Sequence, residues 1–177
     1  MNASLSVELL SAEALQANLP ALVTLLHRCV HAGAAINFVL PFPEAEAERF
    51  WRVKVLPPAQ AGVRAVFVAR LGEVVVGSVQ LDCDTPPNQP HRAEVAKLMV
   101  DPAHRRQGVA RRLMEALDAE ARRRGRSLIT LDTRTGDNAE PLYASLGYQV
   151  AGVIPGYSLD PLHPRLDATT FMYKSLQ

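Results

Sequence analysis

The spacing of apolar positions changes several times along the chain, and each change marks an element. Residues 5–11 (LSVELLS) alternate weakly and predict a first strand. Leu22, Leu25, Leu26 and Cys29 recur at helical spacing after Pro20, which suits a first helical turn, and Gly33 is where that helix should fade. Residues 44–55 (EAEAERFWRVKV) predict a second helix, stopped by Pro57-Pro58. VRAVFVAR (63–70) and VVVGSVQLDC (74–83), joined through Leu71-Gly72-Glu73, read as a β-hairpin. Pro86, Pro87 and Pro90 mark an exposed loop before a strand at 93–100. The stripe Val109, Leu113, Ala116, Leu117 and Ala121 predicts a helix over 107–124, which Gly125 ends. SLITLD (127–132) is a further strand. Asp137-Asn138-Ala139-Glu140 opens another helix with a capping-box pattern, ending at Gly147, and YQVAGVI and TTFMYKSL are the last two strands.

The order is therefore strand, two helices, three strands, helix, strand, helix, two strands. A strand–helix–strand crossover over 93–132 requires a locally parallel pair, whereas the 63–83 hairpin is antiparallel. The fold class is α/β with a mixed sheet. At 177 residues, without repeats or a linker, the chain suits one domain spanning 1–177. A hydrophobic content of 48% with 21% charged residues describes a folded globule. A net charge of +1 argues against a dedicated polyanion binder. The arginines at 122–124 and 126 lie at a helix C-terminus without interleaved aromatics, so a solvated helix end explains them better than a nucleic-acid patch. The two cysteines, Cys29 and Cys83, offer neither a disulfide framework nor metal spacing. No apolar stretch is long enough to cross a membrane, and MNASLSVELL lacks the basic start of a leader. The expectation is a cytoplasmic protein without membrane, metal or nucleic-acid partners.

The chemistry concentrates in LMVDPAHRRQGVARRL (98–113), where a strand ends, turns and enters a helix. The first N–H groups of a helix lack partners and sit at the positive end of its dipole. Gly108 allows a close backbone approach, and Arg105 and Arg106 add charge, so the turn suits a diphosphate. It is neither a Walker A loop nor a GxGxxG fingerprint. On spacing alone, a phosphate cradle and an ordinary capped turn both stay open.

Arg105-x-x-Gly108-x-Ala110 resembles the (Gln/Arg)-x-x-Gly-x-(Gly/Ala) signature of the GNAT acyltransferase superfamily, and DNAEPLYASLGY resembles its second signature. The element order also resembles that fold: a mostly antiparallel central sheet with a splayed parallel pair, flanked by helices. A closer likeness, to the tabtoxin-resistance acetyltransferases, extends over VHAGAAINF, HRAEVAKLMV, LITLDT and GVIPGY. The resemblance implies an acetyl-CoA-dependent N-acetyltransferase, with acetyl-CoA as co-substrate and no metal. It implies that Leu98, Met99 and Val100 receive the pantetheine arm. The diphosphate would rest on N–H groups from Gln107 to Arg111, thus Gln107, Gly108, Val109, Ala110 and Arg111. A backbone N–H near Met99 would polarise the thioester carbonyl, and Asn138 would be a further cofactor contact or simply a helix cap.

Amine acetylation needs a base to neutralise the acceptor and an acid to protonate the departing sulfur. Glu94, alternating with Ala96 and Leu98, and Asp132, at the C-terminal end of the neighbouring strand, are the carboxylate candidates. The alternatives are that Glu94 pairs with an arginine and that Asp132 caps a turn. Tyr143 is the acid by resemblance, with a packing role as the alternative. His91, His104 and His163 fall in loops without evident partners. The acceptor, a small-molecule primary amine, would enter through Ala34–Pro43, Pro86–Arg92 and Pro155–Pro164, which supply Asn37, Phe38 and Tyr157. A non-catalytic acyl-CoA-binding module, an acetyltransferase of a protein amine and self-association into a homodimer all stay open at this point.

Overall fold

The predicted hairpin supplies two strands of the sheet that are buried on both faces. In a computed structural model describing residues 4–176, β2 (Arg64–Leu71) and β3 (Val74–Asp82) pair antiparallel, and Val75 through Leu81 are all buried. The remaining strands are β1 (Leu5–Leu9), β4 (Arg92–Val100), β5 (Leu128–Arg134), β6 (Gln149–Leu159) and β7 (Leu166–Ser175). They form one seven-stranded sheet in the order β1-β2-β3-β4-β5-β7-β6, with β4 and β5 parallel and every other neighbour antiparallel. The mixed sheet expected from the crossover is present. Residues 1–3 and Gln177, which belong to the expected 1–177 domain and to the N-terminal reading, lie outside the described residues.

Each face of the sheet carries its own core. On one, α5 (Val109–Arg123) lays Val109, Leu113, Met114, Leu117 and Ala121 against Phe67, Val79, Ile129 and Leu131, and Tyr143 of α6 (Ala139–Ser145) joins them. On the other, α2 (Leu19–His31) and α3 (Glu44–Arg49) bury Leu22, Leu25, Leu26 and Ala47 with Trp51 against Val66, Val68 and Met99. The Trp51 indole N–H donates to the Leu22 carbonyl at 3.1 Å, so burial leaves it satisfied.

The helices depart from expectation in two places. A short helix, α1 (Ala12–Ala17), precedes α2; Ser11 caps it, its hydroxyl accepting from the Ala14 N–H at 3.1 Å. Pro57-Pro58 do not end the second helical path. After Arg49 the backbone widens into a π-helical stretch over Phe50–Val55 and then continues as α4 (Leu56–Gln60). The prolines sit in the first turn of α4, and the Lys54 carbonyl, four residues before Pro58, accepts from Arg64 at 3.2 Å. The arginines in the last turn of α5 and just after it are likewise less free than a solvated helix end. Arg123 and Arg124 both donate to Glu120, Arg122 to the Leu176 carbonyl, and Arg126 to the carbonyls of Pro90 and Arg92.

Two local features shape the middle of the sheet. Gly77 of β3 lies under α5, and a Cβ there would stand 2.8 Å from Val109 Cγ1 and 3.0 Å from the Met99 carbonyl. On β4, Gln80 faces Ala96 but Ser78 faces Met99, so Lys97 and Leu98 together oppose Val79 in a β-bulge, with Lys97 at φ 52°. At the far edge, β6 runs past the predicted YQVAGVI to Leu159 and leaves Val150, Val153, Ile154, Tyr157 and Leu159 exposed.

Gly77→Ala should overpack the α5 contact and destabilise the fold by about 1–3 kcal/mol, because its neighbours include the Met99 backbone carbonyl, which cannot swing aside. Thermal denaturation should show the melting point falling several degrees. An unchanged melting point would mean that α5 does not close on the sheet at that residue.

Candidate active site

The turn between β4 and α5 is pinned by Asp101. Its buried carboxylate accepts from the Ala103 N–H at 2.9 Å and pairs with Arg28 of α2 at 2.7 Å. Past it the chain reaches Gly108, at φ 79°, which opens α5 in the left-handed region that glycine adopts without strain. Nothing lies within 4 Å of where a Gly108 Cβ would stand. Arg105, Arg106, Gly108, Val109, Ala110 and Arg111 line one end of a cavity of about 790 Å³. Gln107 is exposed and is not among the residues of that wall, unlike its neighbours.

The cavity enters the sheet itself. β4 and β5 pair only at Arg92–Leu128, Ala93–Ile129 and Glu94–Thr130 and then part. Leu98, Met99 and Val100 form one wall of the gap, and Leu131 through Arg134 form the other, continued by Asp137, Asn138 and Tyr143. Asn138 starts α6 without a side-chain cap bond. The capping is done by its neighbours: Asp137 accepts from the Asn138 N–H at 2.7 Å, and Glu140 reaches back to the Gly136 N–H at 2.7 Å. The Asn138 amide is thus not spent on the helix. The Tyr143 side chain is buried, and burial, reinforced by the negative charges of Asp132 and Asp137, holds its hydroxyl well above the ordinary phenol range. It therefore keeps its proton at neutral pH.

The two carboxylates share the opposite face of the sheet from Tyr143's core. Ile129 and Leu131 face α5, so Thr130 and Asp132 face the α2 side, as does Glu94, which stands across from Thr130. Glu94 is half exposed and pairs with Arg92 at 3.2 Å, so its pairing with an arginine and its place on the cavity wall both hold. Asp132 is exposed toward the cavity and accepts no hydrogen bond among the described residues, so it does not cap a turn. Glu94, Asp132 and Tyr143 line one cavity, as do Leu98–Val100, the arginine turn and Asn138.

Strict alternation along β4 misassigns one residue. Alternation places Leu98 on the face of Glu94; the bulge turns Leu98 toward the α5 core and brings Lys97 onto the Glu94 face, with both residues still lining the cavity. The Lys97 ammonium lies 5.6 Å from the Phe38 ring centroid and 5.7 Å from that of Phe50. Burial lowers it to about 8, and the Asp132 charge works against that lowering. A single charge inside the apolar run VAKLMV was the available signal. Cys29 is a further wall residue without a predicted role; its thiol donates to the Val100 carbonyl at 3.4 Å, and burial pushes it up to about 11.

Of the expected acceptor loops, the segment around Asn37 and Phe38 and the residues Tyr157 and Ser158 line a smaller adjoining cavity of about 300 Å³, which shares Asp132 and Arg134 with the first. Pro155–Leu159 belong to β6 rather than to a loop, and Pro86–Arg92 borders neither cavity. His163 does have a partner, its Nδ1 lying 2.9 Å from Asp160, and His104 is partly buried with Nδ1 3.6 Å from Asp101. Among the described residues, no group of three or more His, Cys, Asp or Glu could hold a metal ion, and no helix is long and apolar enough to cross a membrane.

Comparison with known proteins agrees with this architecture. The chain is 35% identical over 114 residues to an uncharacterized N-acetyltransferase of Azospirillum brasilense, covering 63% of this chain and 66% of that protein. It is 40% identical over 88 residues to human N-acetyltransferase 8, covering 49% of this chain and 39% of that protein. The matches thus span two thirds or less of these relatives' lengths. In three dimensions the fold matches yncA of Salmonella typhimurium, described as an acetyltransferase and solved with its cofactor acetyl-CoA. The TM-score is 0.80 at 22% identity, over 99% of this chain and 95% of that one. The acetyltransferase (GNAT) domain profile matches residues 62–150, which hold the glycine turn, the β4–β5 fork and Tyr143. The chain belongs to the GNAT acetyltransferase family.

Proposed function

We propose that the protein transfers the acetyl group of acetyl-CoA to a primary amine of a small molecule, by direct attack with general acid and base assistance. The observation that carries this reading is one cavity with an arginine- and glycine-lined helix N-terminus at one end and two carboxylates at the other, joined through the gap between β4 and β5. The residues present fit a bound acetyl-CoA: open space beside Gly108 admits a diphosphate, Arg105, Arg106 and Arg111 offset its charge, and Leu98–Val100 have lost their β5 partners. When bound, acetyl-CoA supplies the activated acyl group. Glu94 and Asp132 take the proton from the incoming ammonium, a backbone N–H near Met99 polarises the thioester carbonyl, and the protonated Tyr143 hydroxyl delivers a proton to the departing sulfur. Each proton role is worth roughly 10²–10⁴-fold.

The names and ligand of the related proteins support this chemistry, and the tabtoxin-resistance likeness supports the assignment of both carboxylates. We read residues 1–177 as one domain. Two free, buried cysteines suit a reducing compartment, and we assign the protein to the cytoplasm. We also propose that two copies pair through the open edge of β6, which bears apolar side chains and pairs only with β7.

Gly108→Asp should place a side chain and a negative charge where the diphosphate rests, and calorimetry should show acetyl-CoA binding strongly weakened. Full affinity in a folded variant would remove the cradle. Glu94→Gln should lower kcat/KM by at least about tenfold and flatten the acidic limb of the pH profile, while Tyr143→Phe should lower kcat with acetyl-CoA affinity nearly intact. A loss in Asp132→Asn larger than that in Glu94→Gln would make Asp132 the main base. Full activity in both carboxylate variants would mean that the amine arrives already neutral. For the edge, sedimentation should show a dimer that Val153→Lys with Ile154→Lys converts to monomer; a wild-type monomer would refute the pairing.

A further inference from the structure

We propose that Lys97 reads an anion on the acceptor, so that the site selects amines that also carry a carboxylate, such as α-amino acids, over plain amines and polyamines. This rests on the acetyltransferase reading above and adds the acceptor's second charge.

Lys97 is placed with effort. It is one of three non-glycine residues with positive φ among those described, and lysine in that region is strained by about 1 kcal/mol or more. The strain comes with the β4 bulge, and bulges next to active sites re-aim side chains. Here the bulge turns Lys97 onto the face shared by Glu94 and Asp132, inside the cavity that holds both.

The ammonium is held without being neutralised. Phe38 and Phe50, packed edge to face at 5.2 Å, bracket it through their rings. Among the described residues no carboxylate oxygen lies within 4.0 Å of it, whereas Arg134, also on the cavity wall, pairs with Asp137 at 3.1 Å and Asp160 at 3.3 Å. Lys97 is thus a largely buried cation whose three N–H donors have room for a guest.

The charges around it are arranged for a zwitterion. An acceptor ammonium that docks at Glu94 and Asp132 takes over the negative field that otherwise favours charged Lys97. A plain amine would then set a second cation against Lys97, and a diamine a third. An acceptor carboxylate facing Lys97 removes that conflict and gains a charge-assisted hydrogen bond in a partly desolvated site. Sites built to bond a polar group reject analogues that lack it, because their own group is left unpaired.

The test compares amino acids with their decarboxylated counterparts: L-leucine with isoamylamine, L-phenylalanine with 2-phenylethylamine, and L-lysine with cadaverine. Two readouts are used, acetyl-CoA-dependent thiol release and calorimetric binding to the CoA-loaded protein. For at least one pair the wild type should favour the amino acid by about tenfold or more. In Lys97→Met that ratio should collapse toward one, and Lys97→Arg should restore most of it. An acetyl-CoA-induced rise in melting temperature equal to wild type shows that Lys97→Met is folded and cofactor-competent. The same preference in Lys97→Met, a wild type that prefers every decarboxylated member, or binding of neither member overturns the proposal. The two readings fail separately. Acetylation of amines without carboxylate preference leaves the acetyltransferase and removes the role of Lys97. Lys97-dependent binding of amino acids without thiol release does the reverse.

Discussion

The parting of β4 from β5 after three residue pairs is the constraint on which the candidate site depends. Buried backbone groups in a sheet normally find their partner on the next strand, so opening a ladder in the middle of a sheet is costly unless both strands are held from elsewhere. β5 is held by β7, which pairs with it from Leu128 through Arg134. β4 is held by β3 on its other side up to Val100. The carbonyl of Val100 takes the Cys29 thiol, and the Asp101 N–H donates to Val76. The gap persists because its two edges belong to two separately anchored halves of the sheet.

That gap also sorts the chemistry by face. The α5–α6 side offers a helix N-terminus, arginines and a protonated tyrosine, which suit an anionic cofactor and its leaving group. The α2–α3 side offers carboxylates, a lysine and aromatic rings, which suit a polar amine. The two faces meet in the gap inside the sheet, where strands rather than loops set the positions of Glu94, Asp132 and Met99. α5 is fixed by its stripe of apolar residues and by Asp118, which accepts from the Tyr148 hydroxyl at 2.9 Å and pairs with Lys174 of β7.

Charge pairing secures the end of β5 against the last two strands. Arg134, at the end of β5, bridges Asp137 before α6 to Asp160 and Asp167 between and along the last strands. Backbone N–H donation from Leu162, and further donation from His163, hold the Asp160 carboxyl well below its ordinary range. The connection from β6 to β7 is therefore organised around one carboxylate, and Tyr157 is presented beside Asp132 from a strand.

By itself the sequence determined the order of the strands, the parallel crossover and the glycine turn, because these follow from local periodicity and from a backbone conformation that few other residues accept. The turn at Gly108 needs the left-handed region, and the helical stripe from Val109 to Ala121 is unambiguous. It also marked Glu94, Asp132 and Tyr143 as candidates through motif and strand position. Only the tertiary structure decided which of them share a cavity, since that depends on where β4 leaves β5, and pairing across a sheet is not written in either strand alone. The same holds for Lys97. Simple alternation puts it on the face opposite Glu94, and only the extra residue that β4 inserts against Val79 reverses the face and turns a lysine in an apolar run into part of the site.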